Sequence, residues 1–544
     1  MPSGYLSLIL HCHLPFVRHP EYEYFSEENW LYEAISETYL PLLRVFRSLE
    51  NDNVPFKLTV SISPTLAVML QDPLLQERYI RHLSGLMELA ELELERTKSE
   101  PEFHAVALMY RDLWRKNHED FVELYERNIL KGFDFFAKRG RLELITTAAT
   151  HAYLPLYERY PETMNAQIST AVTAQKLLFG RRAKGFWPPE FGYSPGLEAY
   201  LDENDLEYFF TSAHGVLFAD RKPRYGVYAP IRCPNGVAVF ARDLASANAV
   251  WSPEDGYPGD ISYREFYRDI GFDLPMEYIG PFLHTDGVRI GTGFKYYSVT
   301  GKTDTKEPYR PDVATRKAYE HAGNFLYNRQ KQVDKLRKIM DRPPIIVSPY
   351  DAELFGHWWF EGPQWIEFLF RRIDQGGTDL ELITPSEYLK LYPENQTATP
   401  SFSSWGNKGY SEVWLDGSND WIYRHTHKIV ERMIELAERF PDEQGLKRRA
   451  LDQAVREVLL SQASDWPFII KTGTTVGYAE RRVKEHVLNF TRIYESLCRN
   501  TVSTEWLTKL EKRNNIFPSI EKDGRPYSPV IDYRIFRKRT EPVP

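Results

Sequence analysis

Eight short apolar runs, each passing into polar or aromatic residues and then helix-like sequence, constrain this chain more than any other feature. They are GYLSLIL (4–10), KLTVSIS (57–63), LELITTAAT (142–150), KGFW (184–187), LEYFFTSA (206–213), VAVFARD (237–243), PPIIVSPY (343–350) and LELIT (380–384). Continuous apolar strands spaced by helices build a parallel sheet covered on both faces. The unusual residues stand where the runs end: His11 and His13, His151, Pro188 to Glu190, His214, Arg242 and Asp243, and Asp351. In barrels and open α/β sheets alike, that carboxyl edge holds the active site. The expectation is a barrel-like α/β fold, and the pattern alone does not choose between seven and eight strands.

Two stretches depart from this alternation. Residues 72–140 are helical and charged without a strand signal, which predicts a helical insertion inside a catalytic domain spanning 1–400. Over 401–520 amphipathic helices dominate, among them HTHKIVERMIELAERF and YAERRVKEHVLNFTRIYESL, with apolar residues at i, i+3, i+4 and i+7. They predict a C-terminal α-helical domain. Residues 521–544, rich in proline and charge, read as a surface tail.

The net charge of −8 argues against a nucleic-acid partner, which needs a basic face, and leaves a neutral polymer open. Three dispersed cysteines (Cys12, Cys233, Cys498) without a CxxC motif favour a reducing compartment. The start, MPSGYLSLILHCHLPF, lacks a basic n-region and is interrupted by His11, so it reads as a buried strand, with no membrane partner and a cytoplasmic location. Nothing specifies an oligomeric state. Aromatic residues make up 14% of the chain, and Trp187, Trp358, Trp359, Trp405 and Trp414 lie in polar, Gly-rich or Pro-rich surroundings that a core does not explain. Exposed indole faces of this kind suit the flat C–H faces of sugar rings.

Three segments can carry chemistry. In HisCysHis (11–13) alternate strand residues point the same way, so both imidazoles can enter one site. The pair also suits a metal-dependent hydrolase, with His151, His214 and Asp351 as further ligands. In GlyPheTrpProProGlu (185–190), Glu190 follows two prolines, which predicts a stiff, extended backbone beneath its carboxylate. In SerProTyrAspAlaGluLeuPheGlyHisTrpTrpPheGluGly (348–362), Asp351 sits among aromatics that can keep a carboxyl protonated, with Glu353 and Glu361 competing on composition. Two carboxylates at separate strand ends meet the requirement of retaining glycoside cleavage, in which one attacks the anomeric carbon and the other serves as acid and then base.

These motifs, in this order, resemble glycoside hydrolase family 57, and within it the 1,4-α-glucan branching enzymes. HisCysHisLeuPro (11–15), ThrHisAlaTyrLeuPro (150–155), GlyPheTrpProProGlu (185–190) and TyrAspAlaGluLeuPheGlyHisTrpTrp (350–359) are similar to four family motifs. SerSerTrpGly (403–406), AsnAspTrpIleTyrArgHis (419–425) and SerAspTrpProPhe (464–468) resemble its C-terminal helical domain. The resemblance implies a distorted (β/α)7 barrel with a helical insertion and a C-terminal α-helical domain. It implies cleavage of α-1,4-glucan and transfer to a 6-hydroxyl in glycogen or starch metabolism, with no cofactor and no metal. Glu190 is implied as nucleophile, Asp351 as acid/base, and His11, His13 and His151 as neighbours of the cleaved sugar. Trp30, Arg264, Gly280, Trp405, Trp414, Asp465 and Thr474 are implied to line the glucan cleft. The loop 218–230 corresponds to one that carries a lid tyrosine in related branching enzymes, with Tyr225 and Tyr228 as candidates. Phe272 and Thr474 depart from the family's frequent Trp and Gln. An α-amylase or 4-α-glucanotransferase of the same family, a metal-dependent hydrolase, and an inactive glucan-binding protein are the competing readings.

Overall fold

The computed structural model describes residues 2–252, 255–283, 287–517, 520–522, 525–528 and 530–539. Each apolar run contains a strand: β1 (Gly4–Cys12), β2 (Leu58–Ile62), β3 (Leu142–Thr147), β4 (Gly185–Trp187), β5 (Tyr208–Thr211), β7 (Ala238–Ala241), β8 (Ile345–Asp351) and β9 (Leu380–Leu382). A two-residue strand that the periodicity did not signal, β6 (Ile231–Arg232), precedes β7.

The sheet order is β6-β7-β5-β4-β3-β2-β1-β8, with β9 alongside the start of β1. Within this sheet all ladders are parallel except β6 with β7. No ladder joins β7 to β8. Instead the Asp243 N–H reaches the Val347 carbonyl at 2.9 Å, and the Tyr350 hydroxyl reaches the Ser246 carbonyl at 2.8 Å. The result is a distorted barrel of seven parallel strands, closed at one seam by single hydrogen bonds.

Strand alternation decides which side chains enter the barrel. In β1, Leu6, Leu8 and Leu10 join the large apolar cluster that also contains helix residues, whereas Tyr5 and Ile9 join the interior cluster with Trp187, Phe210, Phe240 and Val347. His11 shares the parity of Tyr5 and Ile9. Likewise Ile345 and Val347 of β8 face inward, and Asp351 shares their parity. In β2, Leu58, Val60 and Ile62 pack outward, which leaves Ser61 inward.

Between β2 and β3 run the helices Pro73–Arg96 and Pro101–Glu119, the first capped by the Asp72 carboxylate on the Leu74 and Leu75 N–H groups. After β9 come Trp421–Arg439, Gly445–Ser461, Asp465–Thr472 and Val476–Arg499. This helical region is laced to the barrel by main chain: Ser464 N–H to His151 O at 2.9 Å, Trp405 N–H to Glu190 O at 2.9 Å, and bridges Ala152–Ala463 and Tyr193–Ser403. The surface-tail expectation is corrected for part of its length. Ile531, Tyr533 and Phe536 are buried, and the Tyr533 hydroxyl donates to Phe440 O at 2.7 Å. Three apolar residues anchor a segment whose average composition is polar.

Candidate active site

Three neighbouring strands place one polar residue each in a single row. His11 of β1 stands opposite Ser61 of β2 and Asp351 of β8. Residues abreast on adjacent strands lie about 4.8 Å apart and face the same side, here the barrel interior. His11 Nδ1 is 3.0 Å from Ser61 Oγ, and two residues further His13 Nδ1 is 2.9 Å from Ser63 Oγ. The SerIleSer spacing of β2 thus mirrors HisCysHis in β1. The His11 ring lies flat on Trp187, with centroids 4.5 Å apart and planes within 6°.

Glu190 does not sit on extended backbone, contrary to the expectation from its two prolines. Pro188 is extended, but Glu190 has φ 61°, ψ 18° and Phe191 has φ 51°. Proline fixes its own φ and restricts the residue before it, not the one after. Left-handed non-glycine residues cost about 1–3 kcal/mol each and persist where their surroundings over-determine them. Here Phe191 N–H binds Pro188 O, Gly192 N–H binds Pro189 O, and Glu190 O accepts from Trp405, each at 2.9 Å. A Cβ on Gly192 would fall 2.5 Å from the Tyr153 ring, so the turn is also pressed from behind. The left-handed turn is what points the carboxylate into the barrel mouth.

The two carboxyls have opposite environments. Glu190 Oε2 accepts the Trp405 indole N–H at 2.8 Å, and Oε1 accepts the Ser464 hydroxyl at 2.8 Å. Burial pushes Glu190 up to about 7, and these two donors work against that rise. For Asp351, no hydrogen-bond donor reaches the carboxyl among the described residues. Burial, and then the negative charges of Glu353 and Glu190, hold it well above the usual carboxylate range, with Arg242 opposing. Glu353 is committed elsewhere: it accepts the His13 N–H at 3.1 Å and the Tyr39 hydroxyl. Tyr39 closes a π-helical turn, Ala34–Tyr39, of the kind that often marks functional sites.

The three histidines and Asp465 complete the site. His151, itself left-handed at φ 58°, bonds through Nε2 to His11 Nε2 at 2.9 Å and through Nδ1 to Ser464 Oγ at 2.8 Å. His13 Nε2 lies 3.1 Å from both Asp465 oxygens. Ligand atoms of His13, His151 and Asp465 fall within 4.8 Å of one another. The two imidazoles, however, are stacked at 3.7 Å with planes 15° apart. Their in-plane lone pairs therefore run side by side instead of converging on an ion. His214, another of the ligands that the metal reading needs, is turned away to Gly409 O at 2.9 Å. The donor set fits sugar hydroxyls better than a metal.

The sequence matches Glycosyl hydrolase family 57 over residues 7–400, and the C-terminal domain of 1,4-alpha-glucan branching enzyme over 425–523. The chain belongs to glycosyl hydrolase family 57. It is 32% identical to a 1,4-alpha-glucan branching enzyme of Thermococcus kodakarensis, covering 97% of this chain and 78% of that one. The α-amylase AmyC of Thermotoga maritima superposes with a TM-score of 0.91 at 45% identity, over 99% of this chain and 100% of the other. A branching enzyme of this family from Pyrococcus horikoshii superposes with a TM-score of 0.87 at 30% identity, over 99% and 98%.

On this family 57 scaffold the remaining cleft candidates fall into four groups. Trp405 and Asp465 join the cluster, whereas Trp30 stands half-buried on the helix Asn29–Glu33, edge-on to Tyr478. Gly280 and Thr474 have no described contact with the carboxyl pair. Gly280 belongs to a short turn whose neighbour Tyr278 bonds to Glu93 at 2.8 Å, and Thr474 is exposed beyond the far end of the helix that Asp465 begins. Arg264, Trp414 and the two tyrosines require correction. Arg264 is buried, pairs with Glu37 at 3.3 Å and stacks on Phe360, so it braces the rim instead of facing substrate. Despite burial, Arg264 and His357 pull Glu37 down to about 2. Trp414 is 1% exposed, stacked on Tyr153 at 4.9 Å beneath Gly406. Trp187 and Trp359 are buried as well, whereas Trp358 is 51% exposed and stacked on Phe266 at 4.2 Å. Tyr228 O accepts the N–H of Ile345, the first residue of β8, and Tyr225 bonds to Asp341. Asp351 is the last residue of β8, so this loop lies at the opposite end of the barrel, roughly 20 Å away along the strand. Neither tyrosine is a lid.

Sequence reasoning missed Ser464, Ser61, Ser63 and Tyr39. The Ser-x-Ser spacing at the end of β2 was a readable signal. Ser464 and Tyr39 were not, because nothing in their own segments indicates which strand ends they meet.

Proposed function

We propose that this chain is a retaining 1,4-α-glucan branching enzyme in which Glu190 is the nucleophile and Asp351 the acid/base. The carrying observation is the asymmetry of the two carboxyls: Glu190 receives two hydrogen bonds that favour its charged form, and Asp351 receives none among the described residues and is held by burial well above the usual carboxylate range, which favours its protonated form. Glu190 attacks the anomeric carbon while the Asp351 proton passes to the departing glycosidic oxygen. The Asp351 carboxylate then takes the proton of a glucan 6-hydroxyl, whose oxygen displaces Glu190 and forms the α-1,6 branch. His13, His151, Asp465 and Trp405 surround the sugar at the point of cleavage. The match of residues 425–523 to the branching-enzyme C-terminal domain supports the transfer reaction, as do the branching-enzyme relatives. Three free cysteines suit a reducing, cytoplasmic setting and a role in storage-glucan metabolism.

The likeness to the Thermotoga maritima α-amylase favours a second reading in which water takes the place of the 6-hydroxyl. Incubation with amylose, followed by reducing-end assays before and after debranching, separates the two. Branching yields new ends that appear only after debranching, and amylase action yields them before it.

A further inference from the structure

Four side chains lead in an unbroken line from the buried face of β2 to the nucleophile: Ser61 Oγ to His11 Nδ1 at 3.0 Å, His11 Nε2 to His151 Nε2 at 2.9 Å, His151 Nδ1 to Ser464 Oγ at 2.8 Å, and Ser464 Oγ to Glu190 Oε1 at 2.8 Å. Each of the four is at most 4% exposed. We infer that this line is a one-way hydrogen-bond chain that fixes both histidine tautomers and holds Glu190 in its ionised form, with Ser464 as the positioning residue that delivers the last proton.

The direction follows from counting protons. An ionised carboxylate only accepts, so the Ser464 hydroxyl must donate to Glu190. Its single proton is then spent, and His151 must donate to it from Nδ1. Burial holds His151 and His11 well below the usual imidazole range, so both are neutral and carry one proton each. His151 Nε2 is therefore an acceptor, His11 must donate from Nε2, and His11 Nδ1 must accept from Ser61. Every link is determined once Glu190 is charged. Protonating Oε1 toward Ser464 would either reverse all four links or leave the buried Ser464 hydroxyl proton without an acceptor among the described residues, so the chain opposes that protonation.

The other charged groups facing Glu190 do not do this work. Asp465, at the start of its helix, is negative and favours protonation; Asp351, held well above the usual carboxylate range, brings no positive charge, and Glu353, just beyond β8, is taken up by the His13 N–H and the Tyr39 hydroxyl. His13, just after β1, favours the charge but is bonded to Asp465, and Arg242 stands beyond the Trp405 ring at 5.9 Å. Apart from Ser464, Trp405 is the remaining donor to the carboxylate among the described residues.

The inference rests on the reading of Glu190 as the ionised nucleophile, and its two tests separate failure of the chain from failure of that reading. In nitrogen-15 histidine NMR of the whole protein, the expected result is His151 protonated on Nδ1 and His11 on Nε2. The opposite tautomers would overturn the chain, whether or not the protein acts on glucan. In the pH profile of kcat/KM on amylose, S464A should move the acid limb upward by about 1–2 pH units, the size expected for loss of one hydrogen bond to a charged group. S61A should move it the same way by less, and S464T should restore it. An acid limb that stays in place in S464A, with only the rate reduced, would make Ser464 a packing residue and overturn the inference. If the wild type does not cleave amylose, the proposed function fails and the NMR result still decides the chain.

Discussion

Trp405 is bound to Glu190 twice: its main-chain N–H meets the Glu190 carbonyl at 2.9 Å, and its indole N–H meets Oε2 at 2.8 Å. One bond secures the left-handed turn, and the other stabilises the charge that the turn presents. Replacing Trp405 with Phe keeps a ring and the main-chain bond but removes the indole donor. The acid limb of the pH–rate profile should then move upward by about 1 pH unit or more, with the thermal midpoint nearly unchanged. An unmoved limb would assign Trp405 to stacking alone.

Arg242 acts on the other carboxyl. Its positive charge holds Asp351 lower than burial and the neighbouring carboxylates would otherwise place it. Removing that charge disfavours the ionised form further, so Asp351 should stay protonated to higher pH. Arg242→Met should shift the basic limb of kcat/KM upward while the acid limb moves little. A downward shift would contradict the assignment of Asp351 as the acid.

Burial of Glu190 has a stability consequence with a definite sign. A carboxyl raised to about 7 in the folded state, above its unfolded value, contributes stability at low pH that is lost as pH rises toward 7. Replacing Glu190 with Gln removes the buried charge. The variant should therefore melt higher than wild type at pH 8, by an amount reaching about 3 kcal/mol, with the difference shrinking at pH 5. Its glucan activity should fall by several orders of magnitude. Equal melting at both pH values would mean that the charge costs nothing where it sits.

Two tryptophans whose sequence neighbourhoods suggest the same exposed role differ in the fold: Trp414 is buried and Trp358 is open. Trp414, buried against Tyr153, should cost about 3–5 kcal/mol of stability when replaced by Ala. Trp358 presents one open face, backed by Phe266 on the other, and its replacement by Ala should raise KM for long glucans with little change in melting. Chemical denaturation and kinetics on short and long maltodextrins distinguish the two.

The barrel was legible in the sequence because its signal is local: an apolar run ending in a conspicuous residue reports both a strand and its carboxyl edge, as at His11 and Asp351. Residues that come together across the fold were less legible. Ser464 meets Glu190 over 274 positions, through a docking of helix onto barrel that no local pattern encodes. Trp414 was misread because glycine-rich sequence can also wrap a buried ring: a Cβ on Gly406 would lie 2.8 Å from that indole. The tyrosines of 218–230 were misread because spacing does not say at which end of a barrel a connection turns. That loop runs back to the start of β8 before β6 and β7 form.

The division of labour between Glu190 and Asp351 is tested most directly by trapping the covalent intermediate. A maltosyl fluoride loses its fluoride without help from an acid, and Asp351→Asn lacks the base needed to release the sugar afterwards. Peptide mass spectrometry of that variant after exposure should find one glycosyl adduct, on Glu190. An adduct on Glu353 or Asp465, or a variant that turns the fluoride over with inversion and without an adduct, would contradict the account.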